Sequence, residues 1–233
     1  MALPKLNDVP SYDMIIPSTG EQVTFRPFLV KEQKVLLMAL ETQDTKQILR
    51  AITDTIKACV NDNINPNTLA TFDLEYMFSQ IRAKSVGETS EVLLACGQCD
   101  HENKVTVNIS DIKVDVTGIE KNIKLNDQYT IQMRYPRYDL LADENAENNA
   151  AENMIKMIIG CLDKLLTNDE IISFDDETEE EVKTFVDNLT ATQLQAVMEF
   201  INSIPAVQHK VDFDCEECGT NNEITLKGIA DFF

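Results

Sequence analysis

Two short cysteine stretches with the same pattern constrain the fold more than any other part of this sequence. Each holds two cysteines separated by two residues, at 96–99 and at 215–218. After each pair, apolar and polar residues alternate, as in KVTV at 104–107 and EITL at 223–226. A period of two is typical of a half-buried strand. Each stretch therefore predicts a strand, a cysteine turn and a second strand, and the two together predict a zinc ribbon.

The chemistry of these cysteines favours a structural metal. A thiolate binds Zn²⁺ at about 2.3 Å, and a closed tetrahedral site leaves no position for water or substrate. A disulfide within one pair would close a very short loop, which stabilises little. Zinc binding in small sites contributes about 10–16 kcal/mol at neutral pH. The predicted ligands of a structural Zn²⁺ are Cys96, Cys99, Cys215 and Cys218.

Three alternatives remain beside a four-cysteine zinc site. A redox motif needs a helix N-terminus that lowers the pKa of a thiol, whereas both pairs here lead into predicted strands. His101 or His209 lies near enough in the sequence to replace one cysteine as a ligand. The third alternative is a pair of hairpins that has lost its metal. The other two cysteines, Cys59 and Cys161, fall on or beside apolar helix faces and are expected to be buried thiols.

The N-terminal part predicts a β-hairpin followed by helices. The turn of the hairpin is PSTG at 17–20, where glycine supplies a positive φ. Asp44 or Thr45 is expected to cap the second helix, and Asp73 the third. The guanidinium of Arg26 is expected to pair with a carboxylate and to brace the hairpin against the helices.

The stretch between the cysteine pairs is acidic and predicts mainly helices. Residues 143–149 predict a loop, and apolar spacing predicts a helix over 151–166. The spacing of a capping box recurs at 178–181 and at 190–193. The acidic run 175–181 is therefore interpreted as the start of a helix rather than as a cation site.

These patterns together predict an α+β fold. An N-terminal β-hairpin and a helical bundle are combined with a four-cysteine zinc-ribbon-like β element that brackets a helical insert. The predicted segments are an N-terminal β-hairpin arm at 1–30, a helical segment at 31–87, the first zinc-ribbon hairpin and following strands at 88–135, an acidic helical insert at 136–205, and the second zinc-ribbon hairpin with the C-terminus at 206–233.

Composition and motifs exclude several classes of function. The formal net charge is −20, which disfavours binding to polyanionic nucleic acid and suits a basic protein partner. No apolar run approaches the roughly 18 residues of a membrane span, and no apolar signal core is seen near the N-terminus, so a cytoplasmic protein is expected. The sequence has two histidines and no phosphate loop, nucleophile elbow or HExxH motif. We therefore expect no enzyme.

The N-terminal region resembles a known family of phage proteins. PSTG at 17–20 is followed by FRPFLVKE at 25–32 and by a leucine-rich helix from Lys34 onward. This combination resembles the T4-type bacteriophage baseplate family of hub subunits and hub assembly proteins. The two cysteine pairs and the chain length are also similar. The resemblance is strongest over 3–42 and around the cysteines.

The resemblance implies a non-enzymatic protein of phage tail morphogenesis, which assembles the central baseplate hub or forms part of it. The implied partners are other hub proteins or a tape-measure protein, with no nucleic acid and no membrane, and an oligomer is left open. The implied location is the host cytoplasm during assembly or the tail baseplate of the virion. The alternative is a zinc-ribbon adaptor of nucleic-acid machinery, which rests on fold analogy alone. Such a reader should carry basic or aromatic residues on its cysteine turns, whereas here they hold Gly97-Gln98 and Glu216-Glu217.

Overall fold

The computed structural model of the chain describes residues 9–62, 64–138 and 150–228. It is a mixed α+β structure with small antiparallel sheets, in agreement with the predicted class. The predicted loop at 143–149 lies outside the described residues. The strands are β1 Tyr12–Ile15, β2 Gln22–Phe25, β3 Thr89–Ala95, β4 Glu102–Asn108, β5 Asn122–Lys124, β6 Thr130–Met133, β7 Leu162–Leu166, β8 Ile171–Ser173, β9 Gln208–Asp214 and β10 Asn221–Lys227. The helices are α1 Val30–Glu41, α2 Thr45–Cys59, α3 Thr71–Val86, α4 Ala150–Cys161, α5 Glu179–Asp187 and α6 Ala191–Asn202.

The chain divides into two compact units. One unit combines Met1–Asp115 with Ala206–Phe233, and the other is Val116–Pro205. The second unit is thus inserted in sequence between the two parts of the first. In the part of the chain that the structure describes, no helix is both long and apolar enough to cross a bilayer.

The N-terminal hairpin is held to helix α3 through its turn. Strands β1 and β2 pair antiparallel, with Tyr12 opposite Phe25, and Gly20 in the turn has a φ of 72°. The backbone N–H of Ser18 donates to Asp73 Oδ1 at 2.9 Å, and its hydroxyl donates to Oδ2 at 2.5 Å. Asp73 is fully buried. The PSTG turn therefore has a structural role, since it binds a carboxylate at the start of a helix.

The structure shows which of the predicted residues cap the N-termini of helices α2 and α3. Asp44 caps α2, because its carboxylate accepts from the backbone N–H of Lys46 at 2.9 Å. The prediction that Asp73 is the N-cap of α3 is wrong by three residues. Ala70 occupies the N-cap position, and Asp73 accepts the N–H of Ala70 at 3.1 Å from within the first turn. Asp73 can do so while it binds the hairpin because a carboxylate has several acceptor sites.

Arg26 braces the hairpin against the helices, as predicted. Its Nη2 donates to Glu32 Oε1 and to the carbonyl of Ala58, each at 2.9 Å, and its Nη1 donates to the carbonyl of Pro27 at 2.9 Å. Glu32 is 7% exposed and its other oxygen accepts the N–H of Leu29 at 2.9 Å, at the start of α1. The FRPFLVKE stretch is thus one hydrogen-bonded corner that sets the direction of α1.

The two cysteine hairpins share one hydrophobic core. Strand β3 pairs with β4, and β9 with β10, both antiparallel. An isolated bridge joins Lys113, which follows the first hairpin, to Gln208, the first residue of β9. The buried residues of this core, which includes one residue of α3, are Ala83, Val92, Leu94, Val107, Ile109, Ile112, Val207, Val211 and Leu226.

The unit Val116–Pro205 contains a sheet, whereas the sequence predicted a largely helical insert at 136–205. Its four strands are antiparallel in the order β5-β6-β7-β8. The helix predicted over 151–166 ends at Cys161, and the remaining residues form β7 between β6 and β8. Strand β6, which the sequence assigned to the first zinc-ribbon segment, belongs to this sheet. The short apolar run LDKLL fits the hydrophobic period of a helix as well as that of a strand. It forms a strand because it pairs with β6 on one side and with β8 on the other.

Local hydrogen bonds fix the ends of the elements in this unit. The capping boxes at 178–181 and 190–193 are both formed, which confirms the predicted starts of α5 and α6. Arg134, directly after β6, donates to both carboxylate oxygens of Asp175 at 2.6 and 2.8 Å, and its Nε donates to the carbonyl of Gly160 at 3.1 Å. Arg134 therefore links the sheet, helix α4 and the turn before α5.

Candidate metal centre

Each cysteine pair lies in a tight turn between the two strands of a hairpin. In the first turn, the N–H of Cys96 donates to the carbonyl of His101 at 2.9 Å, and the N–H of Asp100 donates to the carbonyl of Cys96 at 3.0 Å. These bonds reverse the chain between β3 and β4. Asp100 has a φ of 57°, in the left-handed region that aspartate tolerates better than most residues.

The second turn repeats the first, bond for bond. The N–H of Cys215 donates to the carbonyl of Thr220, and the N–H of Gly219 donates to the carbonyl of Cys215, each at 2.9 Å. Gly219, at the position equivalent to Asp100, has a φ of 70°. The two turns therefore have the same backbone conformation, and each directs its two cysteine side chains to the same side of the hairpin.

The structure brings the four predicted ligands together. Their sulfur atoms all lie within 4.8 Å of one another. The Sγ–Sγ distances are 3.7 Å from Cys96 to Cys218, 3.6 Å from Cys99 to Cys215 and 3.5 Å from Cys99 to Cys218. Bonds of 2.3 Å in a tetrahedron would place sulfurs about 3.8 Å apart. The arrangement fits one zinc ion, and the separations are far longer than the roughly 2.05 Å of a disulfide.

Burial of the sulfur cluster is asymmetric within each turn. Cys96 and Cys215, the first cysteines of the two pairs, are buried, whereas Cys99 and Cys218 are exposed. The site thus has one side in the core and one side toward solvent, which gives a metal ion a route of entry. Cys59 and Cys161 are buried elsewhere, as predicted, and burial raises the pKa of their thiols to about 11 and about 12.

One asparagine of the opposite hairpin binds each cysteine turn. The backbone N–H of Gly97 donates to Asn222 Oδ1 at 3.0 Å, and the N–H of Glu216 donates to Asn103 Oδ1 at 2.8 Å. Each amide nitrogen also donates within its own turn, to the carbonyl two residues before it, at 2.9 Å for Asn103 and 2.8 Å for Asn222. Both side chains are buried. The two hairpins therefore hold each other through a reciprocal pair of amides, beside the sulfurs.

Sequence reasoning did not single out these asparagines, although the sequence contains a signal for them. In CGQCDHEN at 96–103 and CEECGTNN at 215–222, an asparagine follows the first cysteine of the pair by seven residues. An alignment of the two stretches on their cysteines finds both residues. The shared spacing reflects the shared geometry, since the amide must reach across to the other turn.

Backbone and amide donors favour the thiolate form of the two buried cysteines. The N–H of Gln98 lies 3.4 Å from Cys96 Sγ. This donor, with the N–H of Cys99 and the amide of Asn222, lowers the pKa of Cys96 to about 6 against the effect of burial. The N–H groups of Cys218 and Glu217 likewise lower the pKa of Cys215. Thiolates are the form that binds zinc.

The crowding of the sulfurs acts in the opposite direction on Cys99. The N–H of His101 favours its thiolate, but contacts with Cys218, Cys215 and Cys96, together with partial desolvation, raise the pKa of Cys99 to about 12. Four sulfurs at these distances cannot all carry a charge without a cation between them. A divalent ion would remove that repulsion, which is why the donor set suits Zn²⁺.

The histidine and redox alternatives for the cysteines find little support in the geometry. Among the described residues, the group of clustered donor atoms contains only the four cysteine sulfurs, and neither His101 nor His209 belongs to it. Both turns lead into strands, β4 and β10, and not into the helix N-terminus that a redox pair uses. The exposed turn residues are neutral at 97–98 and acidic at 216–217, unlike those of a nucleic-acid reader.

Nearly the full length of the chain matches one family of phage proteins. Residues 9–233 match the model of the family described as T4 bacteriophage base plate protein. The chain belongs to this family. The resemblance of the N-terminal motif is thereby confirmed, and the match also covers the acidic middle of the chain, outside the regions where that resemblance is strongest.

One phage protein aligns with this chain over almost the whole length of both. The chain is similar to the baseplate hub assembly protein gp26 of Enterobacteria phage T4, with 23% identity over 211 residues. The aligned region covers 91% of this chain and 92% of that protein. No solved structure matches the chain.

Proposed function

We propose that this protein is a non-enzymatic factor of phage tail morphogenesis that assembles the central baseplate hub or forms part of it. The observation that carries the proposal is the near full-length similarity to a baseplate hub assembly protein. Membership of the base plate family supports the same role. The cysteine cluster is closed by its own four sulfurs, which suits a structural site and offers no position for a substrate.

We further infer that Cys96, Cys99, Cys215 and Cys218 hold one structural Zn²⁺. The support is the Sγ–Sγ spacing of 3.5 to 3.7 Å, the donors to the buried sulfurs and the two matching turns. Zinc bound by thiolates from both hairpins would join the segments before and after the inserted unit. The chain then behaves as one cross-linked fold without a disulfide.

The proposed partners are other baseplate hub proteins or a tape-measure protein. The net charge of −20 suits partners with basic surfaces. The proposed location is the host cytoplasm while tails assemble, and the baseplate of the virion if the protein remains in the particle.

Phage carrying an early stop codon in this reading frame test the function. We expect infected cells to accumulate tail components without complete hubs or tails, seen by electron microscopy, and a plasmid copy of the wild-type chain to restore them. A plasmid copy with an early stop codon serves as the matched control. Normal tails from the mutant phage would contradict the proposal.

Mass spectrometry of purified particles and of infected lysate separates the two forms of the proposal. A fixed amount per particle identifies a hub component, and presence in the lysate alone identifies an assembly factor. Metal analysis of the purified chain tests the zinc site, with about one zinc per chain expected. A well-folded wild-type protein without metal would contradict the zinc site and leave the hub function standing.

A further inference from the structure

Helix α1 presents most of its surface to solvent, and much of that surface is apolar. Glu32 and Ala39 are its buried residues, and their spacing places them on one side of the helix. A cluster of exposed apolar side chains on one element marks an interaction site. Between 49% and 67% of the following side chains is exposed: Val35, Leu37, Met38 and Leu40.

Two opposite charges bracket these apolar residues. Lys34 and Glu41 are separated by seven residues and lie with Leu37 on the side of the helix opposite Glu32 and Ala39. Both charged side chains are exposed, and neither forms an ion pair with another described residue. The exposed face of α1 is therefore apolar in the middle, positive toward its N-terminal end and negative at its C-terminal end.

We propose that α1 pairs with α1 of a second copy of this chain, antiparallel and around a twofold axis. In this register Lys34 lies level with the partner's Glu41 at each end of the pair. Leu37 lies level with the partner's Met38, beside the twofold axis, so that four apolar side chains meet there. Val35 and Leu40 lie closer to the buried side of the helix and stay outside this contact. The same surface is thus complementary to itself, as a twofold interface requires.

The charge order selects this arrangement over a parallel one. A parallel pair in register would place Lys34 beside the partner's Lys34 and Glu41 beside the partner's Glu41, which is repulsive at both ends. A helix of this length extends for about 18 Å, so the contact is smaller than a standard stable interface. We therefore expect a weak dimer, half associated at chain concentrations on the order of 10 µM. The inference does not rest on the proposed hub function.

Charge reversal tests both the partner and the register. Sedimentation velocity on the purified full chain, from roughly 1 to 300 µM to bracket weak association, is expected to show a monomer–dimer equilibrium. Lys34→Glu and Glu41→Lys each place like charges at both ends, and each is expected to raise the dissociation constant at least about tenfold. The double variant restores both pairs and is expected to return within about threefold of the wild type.

The mixture of the two single variants is the sharpest measurement. A chain with two acidic positions and a chain with two basic positions are complementary in the antiparallel register, so we expect a heterodimer from two preparations that are monomeric alone. Asp54→Lys and Lys57→Glu reverse exposed charges on α2 and are expected to leave association unchanged. Circular dichroism checks that each variant retains its helices.

Three results would overturn the inference. They are a wild-type monomer over the whole concentration range, a dimer that ignores both charge reversals, and a mixture of folded single variants that does not associate. A wild-type monomer that binds a different hub protein through α1 is a case of the first result.

Discussion

At the scale of single residues, Asn103 and Asn222 each accept a hydrogen bond from the cysteine turn of the opposite hairpin. Partners of this kind orient metal ligands, and their loss lowers metal affinity about 10–100-fold. We expect Asn103→Ala and Asn222→Ala each to weaken zinc binding by that factor while the protein stays folded. Competition with a chromophoric chelator measures the affinity. Asn168→Ala, at an exposed position of the other unit, is the control, and unchanged affinity in both turn variants would contradict the assigned role.

The Arg134–Asp175 pair makes a residue-scale prediction about pH. Hydrogen bonds from Arg134 lower the pKa of Asp175, more than its partial burial raises it, and the charges of Arg134 and Arg137 act in the same direction. Because the folded pKa is lowered, the stabilisation is present above the unfolded value near 3.9 and is lost as the pH falls through the folded value. Asp175 is 49% exposed, so solvent screening limits the effect.

We therefore expect Asp175→Asn to lower the free energy of unfolding by at most about 1 kcal/mol at pH 7. Because Asp175 loses its charge in acid, the difference from the wild type should shrink toward about pH 3.5. Urea unfolding followed by circular dichroism at both pH values measures it. Asp169→Asn, an exposed neighbour in the same unit, should change stability little at either pH. A constant difference at both pH values would contradict the ionic origin.

Which residues could be predicted from the sequence depended on how local their chemistry is. The four cysteines were found because a CxxC turn is a local pattern, and the structure brings all four together. The sequence predicted that Arg26 pairs with a carboxylate. It did not identify Glu32 as the partner, because a carboxylate six residues away is one candidate among many. The asparagines were missed because their hydrogen bonds join residues that lie 113 and 125 positions apart in the sequence.

At the scale of elements, the cysteine turns depend on a left-handed residue after the second cysteine. Gly219 has a φ of 70°, and a Cβ added there meets no atom within 4 Å. Gly219→Ala should therefore cost only backbone strain, about 1–2 kcal/mol. Gly97→Ala is the matched control, because its Cβ would lie 3.7 Å from Asn222 Oδ1, an ordinary contact, and the change should stay within about 0.5 kcal/mol. Thermal unfolding of the metal-loaded protein compares them, and equal losses would contradict the assignment.

Strand β7 shows why element type is harder to predict than element position. The apolar spacing over 151–166 continues past Gly160 and through the end of α4 into LDKLL, with no proline to stop a helix. The strand forms because Leu165 finds Ile131 on one side and Ile172 on the other. Those partners lie in other segments of the chain, so the apolar spacing of 151–166 alone could not reveal them. Helices with local caps, such as α5 and α6, were predicted at their correct starts.

At the scale of the whole molecule, metal removal should affect the two units unequally. All four clustered cysteines belong to the unit of Met1–Asp115 and Ala206–Phe233. Zinc binding of about 10–16 kcal/mol is as large as the whole stability of a typical domain, about 5–15 kcal/mol. We expect a chelator to remove amide protection from β3, β4, β9 and β10 while the sheet β5-β6-β7-β8 stays protected. Hydrogen exchange with mass spectrometry measures this, and Cys96→Ser should reproduce it without a chelator.

The same experiment has a built-in control in the chain itself. Cys161 is a buried cysteine of the other unit with no part in the cluster, so Cys161→Ser should leave the exchange of the cysteine hairpins unchanged. Protection that falls uniformly through both units, or in neither unit, would contradict a structural metal confined to the hairpins.

The division of the cysteine site between two distant hairpins also sets an order in time. Cys99 and Cys215 are separated by 116 positions, which a ribosome crosses in roughly 6–23 s at 5–20 residues per second. During that interval the first turn exists with two open thiols and without the strands that complete its core. The inserted unit is synthesised during this interval and can fold before the second hairpin is made. The first unit reaches its final structure only when translation has delivered the last hairpin, so a ribosome that stalls before Cys215 releases a half-built fold.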